Sequence, residues 1–464
     1  MKNLCLFSDN INSVPIVPIC HDLFPYWLNN QSEIINYQIK INKFSAKPGS
    51  YLLLFDENGN FSKVLLGLNN IYDYHSFGVL PAVLPNGYYD IYMNDLSVAQ
   101  YELAIIGWGL GCYQFNVYNS TAVIEPVLLC RCQEDRLRHI KSQLNAHYSI
   151  KDMINTPAVD MYPEKLADIA LSIAKEHKAD IDIIQGEKLC TDFPAVYAVG
   201  RGSNKKPLLI DMRHGSFNDP KIVIIGKGVC FDSGGLQLKN SSGMLCMKRD
   251  MAGAAHALAL ARMIMEHDLS INLRVIIPAV ENLISGNSYK PGDIIKTRNK
   301  ITVEIANTDA EGRVILADAL ALASEWAPDL ILDFATLTHA AFVALGSDIT
   351  AYFTNDDLLS ENLLSYFHQE QENVWRMPLF KPYAAFLKSD FANIRNISNS
   401  EFAGGGAISA ALFLEKFVKK NIKWIHFDIN AYNMITRPGR PTGAETCCIM
   451  GIFRYLESQY SKKS

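Results

Sequence analysis

The sequence predicts an α/β protein of two domains: a small N-terminal α/β domain over residues 1–150 and a larger domain over residues 151–464, built on a mostly parallel sheet flanked by helices. Three observations predict it. A chain of 464 residues is longer than one ordinary hydrophobic core organises. Apolar residues make up 49% and charged residues 20%, the balance of an ordinary globular chain and not of a disordered one. Beyond residue 150, short runs that are apolar at consecutive positions (181–184, 208–211, 222–225, 273–279, 330–334 and 425–429) alternate with helical patterns. Strands of that kind are buried on both faces, and their spacing leaves room for crossover helices.

In the N-terminal part, residues 51–55 and 63–66 flank the turn-forming Glu57-Asn58-Gly59-Asn60, which predicts a hairpin. Residues 133–147 are charged and favour a helix. Asn155-Thr156-Pro157-Ala158 follows, where the proline pushes Thr156 into an extended backbone, so the domain boundary is expected near residue 150. No internal repeat or low-complexity segment interrupts the chain.

The net charge of −5, from 43 basic and 48 acidic residues, comes without a long Lys/Arg block apart from a short Lys-Lys-Ser tail, which argues against a nucleic-acid partner. No run approaches the roughly 18 apolar residues a membrane span needs, and the first residues lack the apolar core of a secretory signal. A cytoplasmic address without membrane association is expected. Ten scattered cysteines read as reduced thiols. Cys130-x-Cys132 and the adjacent Cys447 and Cys448 lack the spacing of a structural zinc site.

Residues 222–235 start as a buried strand and end as a glycine-rich loop holding Lys227 and Asp232. Glycines on both sides of Lys227 strip bulk from the backbone, which suits close approach of a ligand or metal, although a surface Gly-Lys-Gly turn reads equally well from this segment alone. The spacing does not fit a phosphate-cradling P-loop. Next come Lys239 and the run Met247-Lys-Arg-Asp250, opening an alanine-rich helix that runs to about Glu266. Taken alone, Asp250 reads as a helix N-cap, and His256 as a packed or surface histidine. The third run, Asn307-Thr-Asp309-Ala-Glu311-Gly-Arg313, alternates charges where another helix begins. Residues two apart diverge within a helix, so the alternation makes poor sense as a helix-face ion pair. With Asp309 still extended and Glu311 in the first turn, both carboxylates can point into one site. Acidic first-turn residues offsetting the helix dipole are the plainer alternative.

Together these pieces are more specific than singly. Four carboxylates, Asp232, Asp250, Asp309 and Glu311, converging at strand ends repel one another unless cations sit among them. Two divalent ions balance that charge with hard oxygen ligands. Such pairs need a bridging carboxylate, for which Asp232 and Glu311 are the candidates.

The motifs Gly-Lys-Gly-x-x-Phe-Asp-Ser-Gly-Gly, Met-Lys-x-Asp-Met-x-Gly-Ala-Ala and Asn-Thr-Asp-Ala-Glu-Gly-Arg closely resemble those of the leucyl aminopeptidase family, the M17 cytosol aminopeptidases. The resemblance extends over nearly the whole second domain, including residues 155–158, 281–282, 289–293, 335–338 and 405–408. It implies one metal held by Lys227, Asp232, Asp250 and Glu311 and a second by Asp232, Asp309 and Glu311. It assigns the two non-ligand catalytic positions to Lys239 and Arg313, and the side-chain pocket to Met247, Thr336 and position 339. It further implies zinc or manganese as the ions, with magnesium or cobalt in their place, bicarbonate as proton shuttle, peptides as substrates and a homohexamer. Two departures mark a divergent branch. His339 stands where the family usually has glycine, which bears on substrate preference, and residues 430–445 replace the commoner ending after the last strand. The rival readings are a two-metal phosphoesterase using the same carboxylates, and a binding or regulatory protein with a vestigial site.

Overall fold

A computed structural model describes residues 2–70, 73–92, 96–119, 123–399 and 404–462. The last two residues of the basic tail lie outside them. The chain divides into two units, the first made of residues 1–148 and 433–443 and the second of 149–432 and 444–464. A single cut near residue 150 would leave residues 433–443 with the second unit, yet they group with the first.

The first unit carries a six-stranded sheet in the order Leu4–Leu6, Val127–Cys130, Tyr88–Ile91, Val14–Cys20, Phe61–Leu68 and Tyr51–Phe55. Its neighbours run parallel except the last pair, the hairpin read from the sequence. Asp56 closes that hairpin by accepting from Asn58 N at 2.9 Å and Asn60 N at 2.8 Å. The charged stretch after residue 133 is the helix Glu134–Asn155.

In the second unit a nine-stranded sheet runs in the order Val374–Arg376, Thr350–Thr354, Lys423–Asp428, Leu330–Ala335, Lys221–Gly226, Asn272–Asn282, Leu208–His214 and Asp180–Gln185, with Gly228–Asp232 also pairing on Asn272–Asn282. All six apolar runs became strands. The central neighbours, from Lys423–Asp428 to Asn272–Asn282, are parallel, and antiparallel pairs occur only toward the two sides. Helix Ala252–Glu266 packs with Pro163–His177 and Ile449–Tyr460, and helix Glu311–Glu325 with Pro194–Gly200 and Gly406–Glu415. The sequence reading missed Gly228–Asp232 as a strand because it opens on glycine and its ladder shifts register between Val229 and Phe231. A separate three-stranded sheet joins Ile294–Lys296, Thr302–Glu304 and Ile394–Arg395. No disulfide joins the ten cysteines. Among the described residues, no helix is long and apolar enough to cross a membrane.

The C-terminal helix Ile449–Tyr460 has an unusual start. Its N-cap, Cys448, sits at φ 50° and offers no side-chain cap. Glu372 accepts instead from Met450 N at 3.2 Å and Gly451 N at 2.8 Å. Burial pushes its carboxyl up to about 8, against the pull of those two hydrogen bonds. A carboxyl raised on folding takes up a proton, so its contribution to stability is full below the unfolded value and is lost as pH rises through about 8. The thermal midpoint is therefore expected to carry a downward slope between about pH 5 and pH 8 that Glu372→Gln reduces. Identical slopes for the two proteins in a thermal-shift series would contradict this.

Candidate metal centre

Lys227 follows directly on the strand Lys221–Gly226, and the backbone fixes its position. Its N–H donates to Phe334 O at 2.9 Å, and its carbonyl accepts from Ala254 N at 2.9 Å. A Cβ on Gly253 would stand 2.0 Å from Phe334 O and 2.7 Å from Lys227 N, so only glycine lets the helix Ala252–Glu266 come this close. The side chain is buried, which rules out a surface turn. Its Nζ lies 2.8 Å from Asp250 Oδ1, 2.9 Å from Glu311 Oε1 and 2.8 Å from Thr336 O, partners enough for all three ammonium protons. On the other side, a Cβ on Gly312 would meet Lys227 Cε at 2.4 Å.

Asp232 ends its strand with Oδ1 accepting from Gly234 N at 2.9 Å and from Asn282 Nδ2 at 2.8 Å. Its Oδ2 faces Lys239 Nζ at 2.8 Å, and Lys239 also pairs with Asp309. Asp250 lies in the 3-10 turn Met247–Met251 and does not cap the helix that follows. Its Oδ1 accepts from Thr336 Oγ1 at 2.7 Å. Glu311 opens the helix Glu311–Glu325 behind Ala310, which supplies no side-chain cap, so Asp309 is not a cap either. Asp232, Asp250 and Glu311 each offer an oxygen within 4.8 Å of the other two.

Two buried oxygens, Asp250 Oδ2 and Glu311 Oε2, have no hydrogen-bond partner. Leaving buried carboxylate oxygens unpaired is costly, and a cation is the natural partner for them. With four carboxylates against two ammonium groups, the cage also keeps an excess of negative charge. The donor set therefore fits divalent ions.

The electrostatics reflect this crowding. Burial pushes Asp250 up to about 7 against the pull of Lys227. It raises Asp232 well above the carboxylate range, with Glu311 and Asp250 adding to the effect. Burial also works against ionised Glu311, but Lys227 and Lys239 reverse it and hold Glu311 below its ordinary value. In both lysines burial favours the neutral amine, and the surrounding carboxylates outweigh it and raise the pKa.

Exposure divides the site. Side-chain exposure is 6% or less at Lys227, Asp232, Asp250 and Glu311, against 16% at Lys239 and 34% at Asp309. The first group forms a closed floor and the second an open face. Arg313 is buried one helical turn beyond Asp309, with its Nη1 donating to Asn396 O at 2.7 Å and its Nε unpartnered. Burial lowers its guanidinium to about 10, with Asp428 and Glu311 pulling the other way. Among the described residues no carboxylate lies within ion-pair distance of it.

The remaining predicted residues divide in the same way. Thr336 joins the cage through its carbonyl and hydroxyl, and Met247 is half-buried at the start of the 3-10 turn that carries Asp250. His339 is exposed at the start of the helix His339–Leu345, stacked on Phe342. Of the packed and surface readings of His256, the structure shows the packed one: Nδ1 lies 2.7 Å from Ala252 O, and Nε2 accepts from Cys447 N at 3.0 Å. Sequence reasoning gave no role to Asn282, Asp428 or Asn396. The polar pair Glu281-Asn282 closing the apolar run 275–280 was the available signal for Asn282, and Asp428 likewise ends its strand with a polar residue after Phe427. Asn396 sits in a polar loop without such a mark.

The cytosol aminopeptidase catalytic-domain model matches residues 148–450, and the M17 aminopeptidase N-terminal-domain model matches residues 14–129. A probable cytosol aminopeptidase of Rhodopirellula baltica is 40% identical over 372 residues, 79% of this chain and 73% of that protein. The crystal structure of the cytosol aminopeptidase from Coxiella burnetii is 44% identical with a TM-score of 0.94, covering 99% of this chain and 100% of that one. The bottromycin maturation enzyme BotP, solved in complex with Mn, is 27% identical with a TM-score of 0.86 over 96% of this chain and 99% of that one. These matches leave the phosphoesterase and vestigial-site readings without support. A cage that suits divalent cations, inside a chain that matches both domain models of one family, places this protein in the cytosol aminopeptidase family, M17, and makes it a metal-dependent aminopeptidase.

Proposed function

We propose that this chain releases N-terminal residues, leucine-like and others, from short peptides, using two divalent ions held in the cage around Lys227. The observation that carries the reading is the pair of unpartnered oxygens on Asp250 and Glu311, buried among an excess of carboxylates. Lys227, Asp232, Asp250 and Glu311 would hold one ion, and Asp232, Asp309 and Glu311 the other. Bound divalent ions supply Lewis acidity, lowering the pKa of water to the neutral range. Lys227 would serve as a ligand through a neutral amine, the charge of bound ions lowering its pKa against the carboxylates that raise it, with its proton released to solvent. Zinc or manganese suits this donor set, with magnesium or cobalt as substitutes, and the manganese in BotP supports the second choice.

Substrate comes to the open face at Lys239 and Asp309. There the unprotonated α-amine of the substrate would bind a metal through its lone pair, which selects the free end of a chain. Lys239, the more exposed of the two lysines, donates to the scissile carbonyl as negative charge develops on its oxygen. Arg313 has a planar fork and no paired carboxylate, which suits a small anion such as bicarbonate as proton carrier. Met247, Thr336 and His339 are proposed to border the side-chain pocket. Family likeness supports a homohexamer, and the relatives' names support a cytoplasmic setting.

The test is cleavage of an amino-acid anilide and of an oligopeptide by stripped protein given back zinc or manganese. Activity should return with metal, and an N-acetylated copy of the same peptide should remain intact. Equal cleavage of both peptides would refute the exopeptidase reading. Lys239→Ala should lose about 10²–10³-fold in kcat with both ions retained by elemental analysis. Gly312→Ala should damage both chemistry and folding. The added methyl would stand 2.4 Å from Lys227 Cε and push a buried, fully paired amine out of place, so activity should fall about 100-fold or more and the melting temperature should drop clearly below that of wild type. Full activity in that variant would show that Lys227 is not held where the cage needs it.

A further inference from the structure

Residues 305–310 join the strand Thr302–Glu304 to the helix Glu311–Glu325 and contain no regular element of their own. They nevertheless carry Asp309, and they deliver Glu311 and Arg313 to the site. A side chain from a distant part of the sequence shapes this segment. Asn396 is fully buried just past the short strand Ile394–Arg395, which pairs in parallel with Thr302–Glu304. Its N–H extends that ladder by donating to Glu304 O at 3.0 Å. Beyond this point the carboxamide takes the place of a partner strand. Oδ1 accepts from Ala306 N at 2.8 Å and from Asn307 N at 3.2 Å, and Nδ2 donates to Asn307 O at 2.6 Å. Asn307 passes the constraint on, its Oδ1 accepting from Asp309 N at 2.7 Å. The backbone carbonyl of the same Asn396 accepts from Arg313 Nη1 at 2.7 Å.

We propose that Asn396 is a positioning residue for the hydrolytic reaction, locking the Asp309 segment and aiming Arg313 from one rigid point. Only a carboxamide combines an oxygen for the two backbone N–H groups of Ala306 and Asn307 with an N–H for the Asn307 carbonyl. Aspartate keeps the shape and the acceptors but lacks the donor, and alanine lacks all three contacts. Because the side chain and the carbonyl of one buried residue serve two parts of the site, loosening it shifts the acidic loop and the arginine together. Supporting groups of this kind typically change activity by about 10–100-fold when removed. The inference rests on the proposed roles of Asp309 and Arg313.

The test uses the full chain at saturating manganese with an amino-acid anilide, comparing wild type, Asn396→Ala, Asn396→Asp, Arg313→Ala and the Asn396→Ala/Arg313→Ala double variant. Asn396→Ala should lower kcat about 10–100-fold with KM within about threefold, and Asn396→Asp should fall between it and wild type. The loss caused by Asn396→Ala should be smaller in the Arg313→Ala background than in wild type, because residues that act through one another are not additive. Wild-type kcat in a folded Asn396→Ala, or losses that multiply fully in the double variant, would overturn the proposal. If the alanine variant does not fold, an Asn396→Asp enzyme with wild-type kcat overturns it equally. A wild-type protein inert toward the anilide would instead sink the aminopeptidase reading itself.

Discussion

The contact between the Lys227 amine and the carboxylates of Asp250 and Glu311 is the interaction on which the rest of the centre depends. Each of these groups would be expensive to bury alone, at several kcal/mol per ion, and each is tolerable only beside the others. Their mutual need explains why the surrounding backbone leaves so little slack. Gly253 lets a helix touch the strand end from one side, and Gly312 clears the path of the lysine side chain from the other. The lysine cannot retreat from the acids, and the acids cannot relax into water.

The parallel strands bring the parts to one place. Lys227, Asp232, Asn282, Thr336 and Asp428 all stand at or just beyond the carboxyl ends of neighbouring strands, where an α/β sheet gathers its reactive groups. Asp428 holds the next turn in place, accepting from Leu337 N at 2.9 Å, Thr338 N at 3.0 Å and Thr338 Oγ1 at 2.6 Å. That turn presents the Thr336 carbonyl to Lys227 and its hydroxyl to Asp250. Asn282 joins the Asp232 loop to the acidic segment by donating also to Thr308 O at 3.0 Å. Side-chain amides and a carboxylate thus do for the loops what ladders do for the strands.

Much of this was legible in the sequence because its cause is local. Consecutive apolar residues marked the buried strands, and the Gly-Lys-Gly and Asp-x-Glu-x-Arg spacings marked the segments that carry the cage. What was not legible depends on contacts made across long stretches of chain. Asp250 alone read as a helix cap, and only its company with the other carboxylates pointed to the cage; its contact with Lys227, 23 positions away, has no local sign. Asn396 looked like one polar loop residue among several, since the partners of its side chain and carbonyl lie 83 to 90 positions earlier. The strand Gly228–Asp232 was hidden by its glycine and its slipped register, and the grouping of residues 433–443 with the first unit has no compositional sign.

The exposed place of His339 has a consequence for how such a protein can change over generations. Its ring stacks on Phe342, a neighbour in the same short helix, and makes no hydrogen bond or ion pair with the buried charges. Mutation can therefore sample many side chains at that position without disturbing the hydrolytic apparatus, whereas a single methyl at Gly312 cannot be absorbed. Under the proposed pocket assignment, a lineage can retune its choice of substrate through position 339 without risk to hydrolysis, whereas the same freedom is denied at Thr336, whose carbonyl and hydroxyl also hold Lys227 and Asp250.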